Sequence, residues 1–426
     1  MINNSGVQQS GSSYFTKESM SQTCVIVGAS HAAGQLISSL RQKGWPGRIM
    51  VIGEESYLPY QRPPLSKAFL AGEKSLQDII IRPAPFYEKS EIEFMLDTRV
   101  EAIDRDNKLL KLSNGATQAY DKLALTVGSR VRKVDLPGVE LEGIFYLRDI
   151  NDVERIKANI GVDKQVVIVG GGYIGLETAA TLRKQGMTVT VIEMLERVMQ
   201  RVTAPQVSEF FSRVHSEEGV KILCGVGVDG FEGNGSVESV ACNDGNKYPA
   251  DIVVIGVGIV PNVELAEAAG LDVNNGIVVD EYARTSDADI VAAGDCTRHH
   301  NILYDRWLRL ESVQNASDQA MVAAATLCGE EKPYNALPWF WSDQYDLRLQ
   351  IAGLSQGYDE VIIRGDRENS RSFAAFYLKD GIIIAVDAVN RPSEFMMGKR
   401  LINNKSLIDK EKLADIQMPI KDVFLA

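Results

Sequence analysis

The chain has 426 residues, too many for one ordinary domain, so two or three domains are expected. Its 45% hydrophobic and 24% charged residues are the balance of a globular protein, and no apolar run approaches the roughly 20 residues that a membrane span needs. A net charge of −12 argues against broad binding to nucleic acid or anionic membranes, and neither is expected as a partner.

Residues 1–22 are rich in Ser, Gln, Asn and Gly and read as a disordered tail. They carry no signal-peptide core and no Arg-rich amphipathic pattern, and Met20 offers an alternative start. An apolar strand, Cys24–Gly28, follows, and a small-residue stretch from Ala29 to Gly34 opens a helix. The next strand, Arg48–Gly53, ends in Glu54. Much later the same events recur: the strand Val166–Gly170, a glycine turn, a helix read as Leu176–Gly186, and the strand Thr188–Ile192 ending in Glu193. Continuous Val/Ile runs without polar alternation indicate strands buried on both faces. Two such βαβ units predict an α/β protein with two doubly wound Rossmann-like sheets.

The second motif, Gly170-x-Gly172-x-x-Gly175, has the context that a dinucleotide turn requires. Gly170 permits the tight turn, Gly172 lets the backbone approach a pyrophosphate, and Gly175 lets helix and strand pack. The helix start supplies free N–H groups and partial positive charge. Glu193 can accept from both ribose hydroxyls and repels a 2′-phosphate, which favours NADH; nearby Arg197 keeps NADPH open. The first motif is weaker: Ser30 stands where the second glycine belongs and Ala33 where the third does, with Ala32 before it. Alanine is accepted at the third place, whereas serine brings a Cβ to the point of closest approach. Glu54 is the matching strand-end carboxylate.

Between these motifs, Leu58–Lys67 is a proline-fixed turn that delivers Lys67, either to a flavin as a positive charge or simply to solvent. A strand-like segment, Asp289–Ala293, leads into Gly294-Asp295, where a carboxylate can meet sugar or ribityl hydroxyls or cap a helix. From about residue 331 aromatics and short alternating runs, Ser372–Leu378 and Gly381–Val386, predict an α+β domain with an antiparallel sheet. Trp341, beside Trp339 and Phe340, reads on its own as a core residue. The five cysteines (Cys24, Cys224, Cys242, Cys296 and Cys328) form no tight pair, so no redox disulfide or metal site is expected, and a reducing cytoplasm fits. The pair His299-His300 is read as a solvated loop.

With these residues in view, the chain resembles the FAD-dependent ferredoxin reductases of the glutathione-reductase superfamily. The resemblance is carried by PPLSK at 63–67, VVIVGGGYIGLETAATL at 166–182, VTAPQVS at 202–208, TSDADIVAAGDC at 285–296, LYDRWLRLESVQNASDQA at 303–320, PWFWSDQYD at 338–346 and AVDAVNRPSEF at 385–395. It implies an FAD-binding domain split over 23–125 and 256–330, an inserted NADH-binding domain over 126–255, and an interface-type domain over 331–426. Lys67 would stand beside the flavin, paired with Glu177. Gly28, Ser30, Ala32, Ala33, Glu54, Val100, Arg148, Asp295, Val313 and Trp341 would join Lys67 on FAD. Gly170, Gly172, Tyr173, Ile174, Gly175, Glu193 and Gly258 would hold NADH, with Tyr173 and Trp341 near the reacting rings.

The implied activity passes a hydride from NADH to FAD. Single electrons then go to a two-iron, two-sulfur ferredoxin that feeds an oxygenase such as a haem monooxygenase. A monomer is implied. An acidic ferredoxin would need a local positive patch, for which Arg306, Arg309, Arg348, Lys399 and Arg400 are candidates. Met321 and Gln350 are uncharged where a family member presents basic residues to its ferredoxin. Rival readings are a rubredoxin reductase and an apoptosis-inducing-factor-like flavoprotein; the latter's targeting sequence and basic surface are missing. Oxidases, peroxidases and coenzyme A disulfide reductases of this superfamily use an early cysteine, and residues 55–80 contain none.

Overall fold

The computed structural model describes residues 22–424; the proposed tail lies almost wholly outside the described residues. Both expected parallel sheets are present. The first has five strands, in the order Ile290–Ala292, Lys122–Leu125, Thr23–Val27, Arg48–Ile52, Ile92–Met95. The second runs Lys221–Cys224, Thr188–Glu193, Gln165–Val169, Ile252–Ile255, Ile144–Tyr146, also parallel throughout.

Side-chain alternation explains why the strand sequences are apolar throughout. Cys24 and Ile26 pack under the helices His31–Gln42 and Val313–Leu327, while Val25 and Val27 face the opposite core. That opposite core is closed by a three-stranded antiparallel sheet (Val100–Asp104, Leu109–Leu112, Thr117–Ala119). The second sheet repeats the arrangement. Val166 and Ile168 lie under the helices Tyr173–Lys184 and Pro205–Glu217, and Val167 and Val169 under the three strands between Val228 and Pro249. Each sheet is thus buried on both faces, with helices on one and strands on the other.

The pairing Ile290–Ala292 with Lys122–Leu125 returns a distant segment to the first sheet. The chain passes between the sheets through an antiparallel ribbon, Ser129–Val131 against Ile259–Pro261. The C-terminal region is a five-stranded antiparallel sheet, ordered Trp339–Gln344, Leu347–Gly353, Ile382–Val389, Ser372–Lys379, Glu360–Asp366. The helix Pro392–Asn404 packs on it so closely that a Cβ on Gly398 would stand 2.4 Å from Val386 Cγ1.

Two local readings are corrected. The second-motif helix begins at Tyr173, three residues before the expected Leu176, because the glycine turn closes at Gly172. His299 and His300 lie on the strand Thr297–Asn301, not in a loop. Strand alternation buries His299 against Gln319 Nε2 at 3.2 Å and leaves His300 exposed. Among the described residues, no helix is long and apolar enough to cross a membrane, and no cluster suits a metal ion.

Candidate functional site

A cavity of about 960 Å³ opens where the first sheet, the second-motif helix and the C-terminal sheet meet. At its first-motif end Gly28 adopts φ +101°, and a Cβ there would stand 2.3 Å from the Thr126 carbonyl oxygen. Ser30 precedes the helix His31–Gln42 without a side-chain capping bond, so the first-turn amides remain available to an anion. The Ser30 hydroxyl instead accepts from Arg62 Nε at 3.3 Å. Ala32 lines the cavity, and Ala33 is fully buried behind the turn. His31 also lines the cavity; burial, then Arg62 and Arg148, pushes its pKa down to about 4.

Glu54 sits on the rim, exposed, 3.7 Å from Arg99, with Val100 behind it. On the other wall Arg148 Nη2 donates to Ser129 Oγ at 2.8 Å, and that hydroxyl donates to Asp295 Oδ2 at 2.9 Å. Val313 and Trp341 complete the far end. There the short helical turn Pro63–Ser66 presents Lys67, whose Nζ donates to Glu177 Oε2 at 2.7 Å. Lys67 is delivered into the site, not to solvent, and Trp341 is a wall residue as much as a core one.

Glu177 lies on the helix that the second glycine motif opens. Tyr173 and Ile174, at the start of that helix, also line the cavity, so the helix opened by the second turn walls the cavity that begins at the first. Tyr173 packs on Phe340 with ring centroids 4.7 Å apart. The turn itself lies outside the cavity. Gly170 has φ +110°, and a Cβ on it would stand 2.5 Å from the Gly256 carbonyl oxygen; a Cβ on Gly175 would stand 2.1 Å from the Gly170 carbonyl oxygen. Gly172 and Gly258, by contrast, face open space. Glu193 is fixed by two backbone donors, Gly171 N at 2.7 Å and Leu195 N at 2.8 Å. Arg197 is committed elsewhere, donating to Thr203 O at 2.8 Å, Ser208 Oγ at 2.6 Å and Gln200 O at 3.1 Å.

Residues 22–320 match the pyridine nucleotide-disulphide oxidoreductase family, and residues 339–424 the reductase C-terminal domain. The chain belongs to the pyridine nucleotide-disulphide oxidoreductase family. It is 43% identical to the putidaredoxin reductase of Pseudomonas putida over 94% of this chain and 96% of that protein. It is 43% identical to a ferredoxin–NAD(P)(+) reductase of a Sphingomonas species, over 93% of this chain and 96% of that protein. Identity to the rubredoxin–NAD(+) reductase of Pseudomonas putida is 37%, over 86% and 96%. In a solved covalent complex of putidaredoxin reductase with putidaredoxin, the matching chain superposes with a TM-score of 0.91 at 43% identity, covering 94% of this chain and 97% of that one. Membership makes the protein an oxidoreductase that uses flavin and a pyridine nucleotide, with the C-terminal domain of the reductases.

Sequence reasoning missed four residues of the site. Arg62 and Ser66 fall inside the Leu58–Lys67 turn and Ser342 inside PWFWSDQYD, while Ser129 lies in no motif; none has a role of its own in the sequence reading, and all four join the site through tertiary contacts.

Proposed function

We propose that this protein is an NADH-dependent ferredoxin reductase holding FAD. Its acceptor is a two-iron, two-sulfur ferredoxin that feeds an oxygenase such as a haem monooxygenase. The observation that carries the reading is the helix Tyr173–Lys184. It opens at the NADH turn and places Tyr173, Ile174 and Glu177 on the wall of the cavity that Lys67 enters. On this reading residues 23–125 and 256–330 bind FAD, 126–255 bind NADH, and 331–426 form the C-terminal domain. The protein acts as a monomer, and its free thiols fit a reducing cytoplasm.

The residues fit FAD. Its pyrophosphate suits the uncapped amides at Ser30 together with Arg62 and Arg148, its ribose suits Glu54, and its ribityl chain suits Asp295. The bound flavin supplies hydride acceptance and one-electron donation. The protein's own part is placement and charge. Lys67 holds a positive charge at the far end of the cavity, where it favours an electron-rich ring system. Gly28, Gly172 and Gly258 keep backbone close to the nucleotides. Glu193 is pre-oriented to accept from ribose hydroxyls, and the commitment of Arg197 removes the cation that a 2′-phosphate would need, which supports NADH over NADPH.

Trp339 stacks 5.7 Å from Trp341, and Lys399 lies 5.3 Å above Trp339. Lys399 therefore lies on a short path from the surface to the cavity, and Arg400 is exposed next to it in the same helix, which favours them as ferredoxin contacts. Arg306 and Arg309 are poorer candidates than the sequence suggests. Arg306 lies over Tyr304, and Arg309 faces Glu311 at 2.5 Å with 14% of its side chain exposed.

Anaerobic stopped-flow reduction by NADH and NADPH, followed by mixing with two-iron ferredoxins and a rubredoxin, tests the proposal. Fast bleaching by NADH and reoxidation by a ferredoxin is expected. Absence of flavin, or no reoxidation by any ferredoxin, overturns it. Charge reversal at Lys399 and Arg400 should slow only the second step and flatten its salt dependence.

A further inference from the structure

The Lys67–Glu177 pair does not end at the cavity. Glu177 is 4% exposed, and both carboxylate oxygens are occupied from the protein side. Oε2 accepts from Ser66 Oγ at 2.5 Å as well as from Lys67, and Oε1 accepts from Ser342 Oγ at 2.6 Å. Ser342 Oγ accepts from Gln344 Nε2 at 3.1 Å. Gln344 Oε1 lies 2.8 Å from His215 Nε2, and His215 Nδ1 lies 3.3 Å from the Tyr345 hydroxyl. Ser342, Gln344 and His215 are 1%, 2% and 0% exposed, so water does not supply the missing partners.

Donor and acceptor capacity gives this chain one direction. A carboxylate only accepts, so the single hydroxyl proton of Ser342 goes to Glu177. Ser342 oxygen must then accept, which turns the Gln344 amide group toward it and leaves the Gln344 carbonyl facing His215. Burial pushes His215 down to about 4, so its ring is neutral at neutral pH and carries one N–H. That proton must sit on Nε2, and Nδ1 accepts from Tyr345. Every donor points toward Glu177, across the helix Pro205–Glu217 of the second domain and the C-terminal strand Trp339–Gln344.

We propose that Ser342, Gln344 and His215 are positioning residues that hold Glu177 as the oriented partner of Lys67 and so tune the electrostatics of the flavin site. The proposal rests on the functional reading above. With the Ser342 proton removed, the Glu177 charge is less dispersed and draws more heavily on Lys67. Less of the lysine's charge then serves the reduced cofactor, and the flavin becomes harder to reduce.

Ser342→Ala, Gln344→Leu and Ser342→Thr holoenzymes test this by dye-equilibrated redox titration and anaerobic reduction with NADH. Ser342→Ala and Gln344→Leu should shift the flavin midpoint potential negative. Both should slow reduction at saturating NADH by about fivefold, the lower edge of measured couplings between linked sites, with KM for NADH unchanged. Ser342→Thr, which keeps the hydroxyl, should restore both. Wild-type potential and rate in Ser342→Ala and Gln344→Leu, with only thermal stability lowered, overturn the proposal. Should the variants not fold, nitrogen NMR of histidine-labelled wild-type holoenzyme decides. A neutral His215 protonated on Nε2 is required, and the other tautomer or a charged ring overturns it. Failure of the wild-type protein to be bleached by NADH would instead defeat the functional reading, a result independent of the His215 tautomer.

Discussion

Gly28 lies so close to Thr126 that a Cβ on the glycine would stand 2.3 Å from the threonine carbonyl oxygen, at a φ of +101° that L side chains rarely adopt. Gly172, which holds in the second turn the place that Ser30 takes in the first, has nothing within 4 Å of a Cβ. The two should fail differently. Gly28→Ala strains the fold itself by about 1–3 kcal/mol and should yield protein with little bound flavin, read from its visible absorbance. Gly172→Ala should fold and keep its flavin while KM for NADH rises roughly tenfold, about 1.4 kcal/mol. Normal flavin content in Gly28→Ala would contradict the close approach.

Nucleotide preference should follow Glu193. Its two oxygens are anchored by Gly171 N and Leu195 N, which aims the remaining lone pairs at the turn's mouth. Hydrogen bonds to a charged group contribute about 1.5–3 kcal/mol. Glu193→Ala should therefore lower kcat/KM for NADH by roughly 10- to 150-fold while leaving that for NADPH unchanged or higher. Arg197→Met should leave the NADPH value unchanged, because the guanidinium is occupied by Thr203, Ser208 and Gln200. A drop in NADPH use on removing Arg197 would reverse the assignment.

The two sheets and both glycine turns were readable because their signals are local: unbroken apolar runs for strands buried on both faces, and small residues where a helix opens after a strand. From its own segment Lys67 reads only as a delivered lysine; its pairing with Glu177, 110 residues away, was legible through the family resemblance alone. Ser129 was invisible for the same reason; a serine in a short strand acquires meaning only between Arg148 and Asp295. The His299-His300 pair misled because its environment is set by the return of Gln319, on a later helix, against one face of the strand. Among the candidate docking cations, sequence does not show that Arg309 faces Glu311.

No thiol takes part in the proposed chemistry, and the cysteines are unreactive by environment. Burial pushes Cys24 and Cys296 up to about 12, and Cys242 and Cys328 up to about 11. Thiolate is the reactive form, so little exists at neutral pH. Iodoacetamide at neutral pH should leave NADH-to-ferredoxin turnover unchanged; rapid inactivation that a bound substrate slows would point to a thiol mechanism.

Asp387 should impose a pH dependence on stability. It is 0% exposed, accepts from the Tyr377 hydroxyl through Oδ2, and among the described residues its Oδ1 has no partner. Burial pushes its pKa from 3.8 up to about 7, against the smaller opposing effect of the Tyr377 hydrogen bond. Below the unfolded value both states are protonated, and the full stabilisation is present. Between that value and the folded one, the unfolded chain has lost its proton while the folded protein keeps it, so stability falls as pH rises. Above the folded value the loss is complete and no longer changes. The total is at most about 4 kcal/mol. Asp387→Asn removes the titration, so its urea unfolding midpoint, relative to wild type, should climb between about pH 4 and pH 7 and then level off. Parallel profiles for the two proteins would show that Asp387 is not held neutral in the fold.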